Sequence, residues 1–277
     1  MSSFGFGFGT GIAKKAGGVS YDADASAFFT AASITDTTQK SAVNQLVLDL
    51  KSYGIWTKCS AIYPIVGGTA TSHKFNLKNP ADTDAAFRLT FSTGWTHSST
   101  GMLPNGTSAY ADTFFIPATN GTLNSSHISF YSRTNNTTVG SDFGANNTLG
   151  TAGATQMYIY ISGEYRGISD ALASVVGDYV RYSITDTRGL FINTRTASNA
   201  QAVYQNGVSK NTNTKTGNRT SLKLYISAQN KDNPNGVIDY SNRQCAFASI
   251  GDGLSATEAA NFYTAVQAYQ TTLSRNV

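Results

Sequence analysis

The 277-residue sequence predicts an all-β protein, a sandwich of two antiparallel sheets with an N-terminal helix and a short C-terminal helix. Three observations carry this reading. Charged residues make up 13% of the chain, about half the share of an ordinary globular domain, and Ser, Thr, Asn and Gly stand in their place. Sheet-formers and turn-formers dominate, with Tyr 15, Phe 15 and Gly 26 against Pro 5. From about residue 61 to 250, short alternating or apolar runs are divided by Gly, Asn, Asp and Ser, which is the cadence of a sandwich or barrel. The composition also excludes classes. Disorder needs more charge and fewer aromatics, and a coiled coil cannot be built with two glutamates, Glu164 and Glu258. No apolar run reaches the roughly 18 residues of a membrane-spanning helix. The net charge of +4 is spread thinly, with Lys14-Lys15 the one basic doublet, so no basic stripe points to nucleic acid.

Residues 1–20 stand apart from the sandwich at 21–277. Phe4, Phe6 and Phe8 alternate with Gly5, Gly7 and Gly9, which puts three rings on one side of an extended chain. Such a segment reads either as a frayed tail or as an aromatic anchor for a partner's sheet edge or groove. It lacks the charged start and continuous apolar stretch of a signal peptide, so no export is expected. The N-x-S/T sequons are therefore expected to carry no glycan.

Residues 21–60 read as helical. A short turn covers Ala25 to Ala32, and a longer helix near 36–52 starts at the capping-box pattern Asp36-Thr-Thr-Gln39. Ala42, Val43, Leu46, Val47 and Leu50 recur at helical spacing, and Gly54 is placed to end that helix. Candidate strands then run at Ala86–Ser92, Tyr110–Ile116, His127–Ser132, Met157–Ser162, Tyr179–Ile184, Leu190–Thr194, Gln201–Gln205, Lys223–Ser227 and Cys245–Ile250. Asn206-Gly207 is the clearest hairpin signal, because a type I′ turn needs positive φ at both central residues. Polar gaps at 94–109, 134–156 and 230–241 are expected to be rim loops, where recognition usually resides. Ser255-Ala-Thr-Glu258 is a second capping box, and Ala259, Phe262, Tyr263, Val266, Tyr269 and Leu273 follow on one face of a helix that seals the sandwich. Cys59 and Cys245 sit in apolar contexts and read as two buried free thiols.

The motifs of the C-terminal third, Ala202-Val-Tyr-Gln-Asn-Gly207, Leu222-Lys-Leu-Tyr-Ile-Ser-Ala-Gln-Asn230 and Ala248-Ser-Ile-Gly-Asp-Gly-Leu-Ser-Ala-Thr-Glu-Ala259, resemble the closing half of a concanavalin A-like (laminin-G-type) jelly roll. Upstream, Leu46-Val-Leu-Asp-Leu-Lys-Ser-Tyr-Gly-Ile-Trp56, Ala61-Ile-Tyr-Pro-Ile-Val-Gly-Gly68, His73-Lys-Phe-Asn-Leu-Lys78 and Gly94-Trp-Thr-His97 look like lectin-fold proteins encoded by bacteriophages, especially phages of Bacteroidetes. The resemblance spans the chain after about residue 21. It implies a jelly roll on the virion surface, as a head fibre, capsid decoration or tail adhesin that binds host-surface glycan. The Phe/Gly segment would then dock to other virion proteins, and a trimer is the assembly that analogy with fibres offers.

Candidate chemistry is sparse. Glycosidases of this fold need two carboxyl groups about 5 Å apart for retaining hydrolysis. No matching carboxylate motif is present, and Glu164 is the one plausible acid, so no catalysis is expected. His73, His97 and His127 lack metal-ligand spacing. Asp232, Asn235 and Asp239 offer oxygens that make calcium the one cofactor to consider, although an Asx-rich turn is the simpler reading. Sugar sites combine planar aromatics with amides and charged hydrogen-bonding groups. By type, Trp95, His97, Tyr131, Arg133, Asn135 and Tyr165 are the glycan-binding candidates, with core packing the competing fate of Trp95 and Tyr131.

Overall fold

The computed structural model describes residue 1 and residues 20–147, 153–173, 176–232 and 236–277. Helices α1 (Ala23–Ala31) and α2 (Thr37–Ser52) come first. Asp22 and Asp36 cap them by accepting the amides of Asp24 and Gln39 at 3.0 and 2.8 Å. The Gln39 side chain does not close a capping box. Its Oε1 takes the Gly67 amide at 2.9 Å and ties α2 to the loop after the first strand. Gly54, at φ 70°, ends α2 in a Schellman motif in which the Gly54 amide donates to Lys51 O at 3.1 Å and the Ile55 amide to Leu50 O at 2.9 Å.

Next come β1 (Cys59–Tyr63), the one-turn helix α3 (Ala70–His73), β2 (Thr90–Phe91), the hairpin of β3 (Trp95–Ser98) and β4 (Gly101–Pro104), β5 (Ala111–Asp112) and the short α4 (Pro117–Asn120). The central strands are β6 (Ser126–Ser132), β7 (Phe143–Asn146), β8 (Ala154–Ile161), β9 (Glu164–Ala171), β10 (Val180–Ser183), β11 (Gly189–Ala197), β12 (Ala200–Gln205) and β13 (Val208–Asn213). β14 (Tyr225–Ile226), β15 (Gln229–Lys231), β16 (Gly236–Ile238), β17 (Cys245–Gly251) and α5 (Ala256–Thr272) complete the chain.

The strands form two sheets. One runs β13-β12-β11-β6-β17-β4-β3, with β1 also paired to β17; the other runs β10-β9-β8-β7-β14-β5-β2, with the β15–β16 hairpin attached at β7. Pairing is antiparallel except between β15 and β7. This is the jelly-roll sandwich expected from the sequence. Alternation along the first sheet feeds two cores, because both of its faces are covered. Ile128, Phe130, Phe191, Val203, Ala248 and Ile250 point between the sheets. Tyr131, Leu190, Ile192, Tyr204 and Phe247 point the other way, against α1, α2 and α5. The molecule is therefore layered as helices, sheet, sheet. α5 runs for 17 residues, longer than the short helix expected, and lies along that face.

Both lateral openings between the sheets are closed without strand pairing. At one, Asn211 and Asn213 of β13 donate their amides to Arg181 O and Asp178 O beside β10, at 2.7 and 3.1 Å. At the other, the Phe91 ring of β2 meets Trp95 and His97 of β3 edge-on, at 5.6 and 4.7 Å between centroids. Side chains thus protect edges that would otherwise be open to other strands.

Several expected boundaries are corrected. The strands expected at 86–92 and 110–116 shrink to two residues each, since Phe87 and Phe114 sit at φ 57° and 58° and turn the chain out of the ladder. The expected rim loops contain β3–β4, β7 and β15–β16. Strands of three or four residues are too short to give an alternating signal. Asn206 and Gly207 do form the two-residue turn between β12 and β13, at φ 52° and 74°.

Candidate functional site

The residues expected to bind glycan do not converge. Tyr131 and Tyr165 are corrections: both are fully buried. Tyr131 packs in the helix-side core, and its hydroxyl donates to Gln267 Oε1 at 2.9 Å. Tyr165 lies between the sheets, stacked against Tyr182 and Phe191 at 5.1 and 5.5 Å, and bonds to the Asn193 side chain. Neither ring is available to a sugar. Arg133 is spent on the C-terminal tail, donating to Arg275 O and Gln244 Oε1, each at 2.8 Å. Asn135 is exposed, but its Oδ1 accepts the Thr187 amide at 3.1 Å and fixes a loop.

Trp95 and His97 alternate onto one face of β3 and are both half-buried at the β2–β3 opening. Trp95 Nε1 donates to Tyr110 O at 3.1 Å, so the indole serves as an edge seal. His97 Nδ1 lies 2.9 Å from His73 Nδ1, and one of the two rings must supply the proton. Burial, His97 and the nearby Arg275 cation push His73 down to about 3, and burial also lowers His97, so the pair is neutral.

Glu164, at the start of β9, pairs with Arg166 and Arg181 at 3.2 and 3.5 Å. Asp239 Oδ2 accepts the Tyr158 hydroxyl at 2.6 Å. Asp232 is described, whereas Asn235 lies outside the described residues, as do Phe4, Phe6 and Phe8. Among the described residues, no three His, Cys, Asp or Glu side chains are grouped to hold a metal. Cys59 and Cys245 are free and buried.

The arrangement best suited to a ligand is one the residue types did not single out. A groove of about 450 Å³ opens on the helix side of the first sheet, where α5 leaves the ends of β11, β12 and β13 uncovered. Thr194, Ala202 and Thr212 form one cross-strand row of its floor, and Thr196, Asn199 and Thr214 line its outer end. Leu254 to Ala256 make the wall, and Tyr204 closes the inner end. Gly253 permits this wall: a Cβ there would fall 2.0 Å from Arg195 O, so only glycine lets the chain before α5 press against β11. Thr194 Oγ1 then accepts the Leu254 amide at 2.8 Å and fixes the spacing.

The electrostatics of the groove are quiet. Arg195 is fully buried beneath it, but its guanidinium is committed to the carbonyls of Ser169, Ser198 and Lys215 at 2.7, 2.5 and 2.8 Å. At the start of α5, the capping box is complete: Ser255 Oγ accepts the Glu258 amide at 3.3 Å, and Glu258 Oε2 accepts the Ser255 amide at 2.8 Å. Lys58 pairs with Glu258 at 2.7 Å and neutralises it. The sequence signals for this groove were present as the threonine-rich stretch 194–214 beside Gly253, but only the docking of α5 makes them one surface.

These features define a jelly-roll sandwich with one sheet roofed by helices and an open, uncharged groove at the roof's margin. No family model matches the chain, and no curated protein matches it. Among solved structures it is similar to the binding domain of botulinum neurotoxin DC in complex with rat synaptotagmin II, with 10% identity, a TM-score of 0.51, and coverage of 77% of this chain and 52% of that one. It is also similar to the botulinum neurotoxin serotype D binding domain, at 9% identity and TM-score 0.49, covering 76% of this chain and 51% of that one. The NanB sialidase from Streptococcus pneumoniae follows at 12% identity and TM-score 0.39, with coverage of 53% and 25%. At these identities the likeness is one of fold. The chain spans about half the length of the neurotoxin binding domains it matches.

Proposed function

We propose that this protein is a non-catalytic, glycan-binding jelly-roll module carried on a bacteriophage particle as a head fibre, decoration or tail adhesin. The observation that carries the glycan reading is the groove over β11–β13, about 450 Å³ in volume and walled by threonine hydroxyls, an asparagine amide and a tyrosine. This volume lies in the range of small-molecule sites. Its exposed groups, Thr196, Asn199, Thr212 and Thr214, make no hydrogen bonds through their side chains to other described residues and are free to meet a ligand's hydroxyls. The particle role is supported by the resemblance to phage lectin-fold proteins, with Phe4, Phe6 and Phe8 as the anchor to other virion proteins. The Glu164 carboxylate, held by two arginines, supports the non-catalytic reading.

Glycan-array screening followed by titration calorimetry tests the site. Thr196→Val, Asn199→Ala and Thr212→Val combined should weaken binding at least tenfold without lowering the melting temperature, and unchanged affinity removes the groove from consideration. Mass spectrometry of purified particles tests the particle role. A variant lacking residues 2–18 should stay folded and be lost from the particles; if it is retained, the anchor is elsewhere. Polysaccharide cleavage abolished by Glu164→Gln would favour a glycoside hydrolase instead.

A further inference from the structure

The groove also constrains the chemistry of its ligand. Resting on the glycan-binding reading above, we infer that the site takes a neutral saccharide and discriminates against sugars that carry a carboxylate, such as sialic and uronic acids. Of the described residues that line the groove, none is charged. What they offer is the threonine side chain repeated at 194, 196, 212 and 214, with Asn199 and Tyr204. A threonine presents a methyl group and a hydroxyl that both donates and accepts. That combination matches a neutral sugar, which shows C–H faces and hydroxyls that also donate and accept.

A carboxylate is acceptor-only when ionised, and removing it from water costs several kcal/mol unless a cation compensates. Three cations near the groove are already paired, and Lys210 of β13 is not among the residues that line it. Arg195, below the floor, gives its donors to backbone carbonyls. Lys58 is bound to Glu258 at 2.7 Å. Lys215, next to the rim residue Thr214, pairs with Asp178 at 3.7 Å. The start of α5 would ordinarily attract an anion, but its capping box uses the Ser255 and Glu258 amides and places the Glu258 carboxylate there. A ligand carboxylate would find those two amides already taken.

The test uses the full chain and matched ligands: lactose against 3′-sialyllactose, and cellobiose against its uronic-acid counterpart, alongside a broad panel of neutral and acidic glycans. Neutral ligands should bind, and their acidic counterparts should bind at least tenfold more weakly, with neutral affinity unchanged between low and high salt. Thr212→Lys, at an exposed position, should narrow or reverse the preference by supplying the missing cation. Equal or tighter binding of the acidic ligands, or affinity that falls steeply with salt, overturns the inference while leaving the glycan-binding reading in place. Binding that ignores substitutions at 196, 199 and 212 overturns it by moving the ligand out of the groove. Failure of every glycan to bind removes both.

Discussion

Arg275 is fully buried and has no carboxylate partner among the described residues. Its guanidinium donates to Ile65 O at 2.6 Å, to Pro64 O and Ala246 O at 2.8 Å each, and to Gln270 Oε1 at 2.6 Å. One planar fork thus ties the end of α5 to the loop after β1 and to β17. Arg275→Met should destabilise the fold by about 3–5 kcal/mol in urea denaturation, since Ile65 O loses its side-chain donor while Pro64 O and Ala246 O are left to Tyr269 and Gln270. Arg275→Lys should not restore it, because an ammonium cannot span the same set of acceptors. The histidines make stability depend on pH. Burial pushes His127 down to about 4, against the opposing pull of the Asp252 carbonyl, and His73 lies at about 3. Both are depressed below the unfolded value of about 6.5, so the unfolded chain binds protons first and stability falls as pH drops through 6.5 toward 4 and 3. Between pH 7 and pH 5 each should cost about 2 kcal/mol, seen as a lower urea midpoint; a flat midpoint would contradict their neutral burial. Burial also pushes the Cys59 thiol up to about 12 and raises Cys245, so neither should react with a thiol reagent until the protein unfolds.

Among the elements, the two long helices end alike but with different residues. α2 uses Gly54 at φ 70°, whereas α5 places Ser274 at φ 55°, with Ser274 N on Thr271 O at 2.9 Å and Arg275 N on Gln270 O at 3.0 Å. The second turn delivers Arg275 inward, so its left-handed residue is structural. Ser274→Gly should stabilise the protein by about 0.5–1 kcal/mol, because glycine carries no steric penalty at positive φ. The β12–β13 turn gives the converse case. Gly207 sits at φ 74°, and a Cβ there would lie 3.0 Å from the Tyr263 Cβ of α5. Gly207→Ala should therefore cost more than about 1 kcal/mol, read as a drop in melting temperature. Asn206-Gly207 was legible in the sequence because a turn of this kind is a local requirement. The strands at 86–92 and 110–116 were overread for the opposite reason: nothing in their apolar pattern discloses that Phe87 and Phe114 take left-handed backbone.

At the scale of the molecule, the shortage of charge and the recurring strand pattern were enough for the sandwich, and the capping patterns at Asp36 and Ser255 were enough for the helices. Helix-period and strand-period signals report how each segment meets a core, and that is a property of local sequence. The sequence did not show that α1, α2 and α5 share one face of one sheet, nor that Tyr131 and Tyr165 point inward. An aromatic beside a predicted strand has the same local signature whether it faces a core, a helix layer or solvent. For the same reason the sequence did not show that Trp95, Arg133 and Asn135, the right types for a site, are each held by a distant partner, Tyr110, Gln244 or Thr187. By itself the sequence determined the fold class, the helix caps, the hairpin turn and the lack of a paired-carboxylate motif. The tertiary structure alone decided which polar residues are left free, because the groove over β11–β13 exists only where α5, admitted by Gly253, leaves the ends of these strands uncovered.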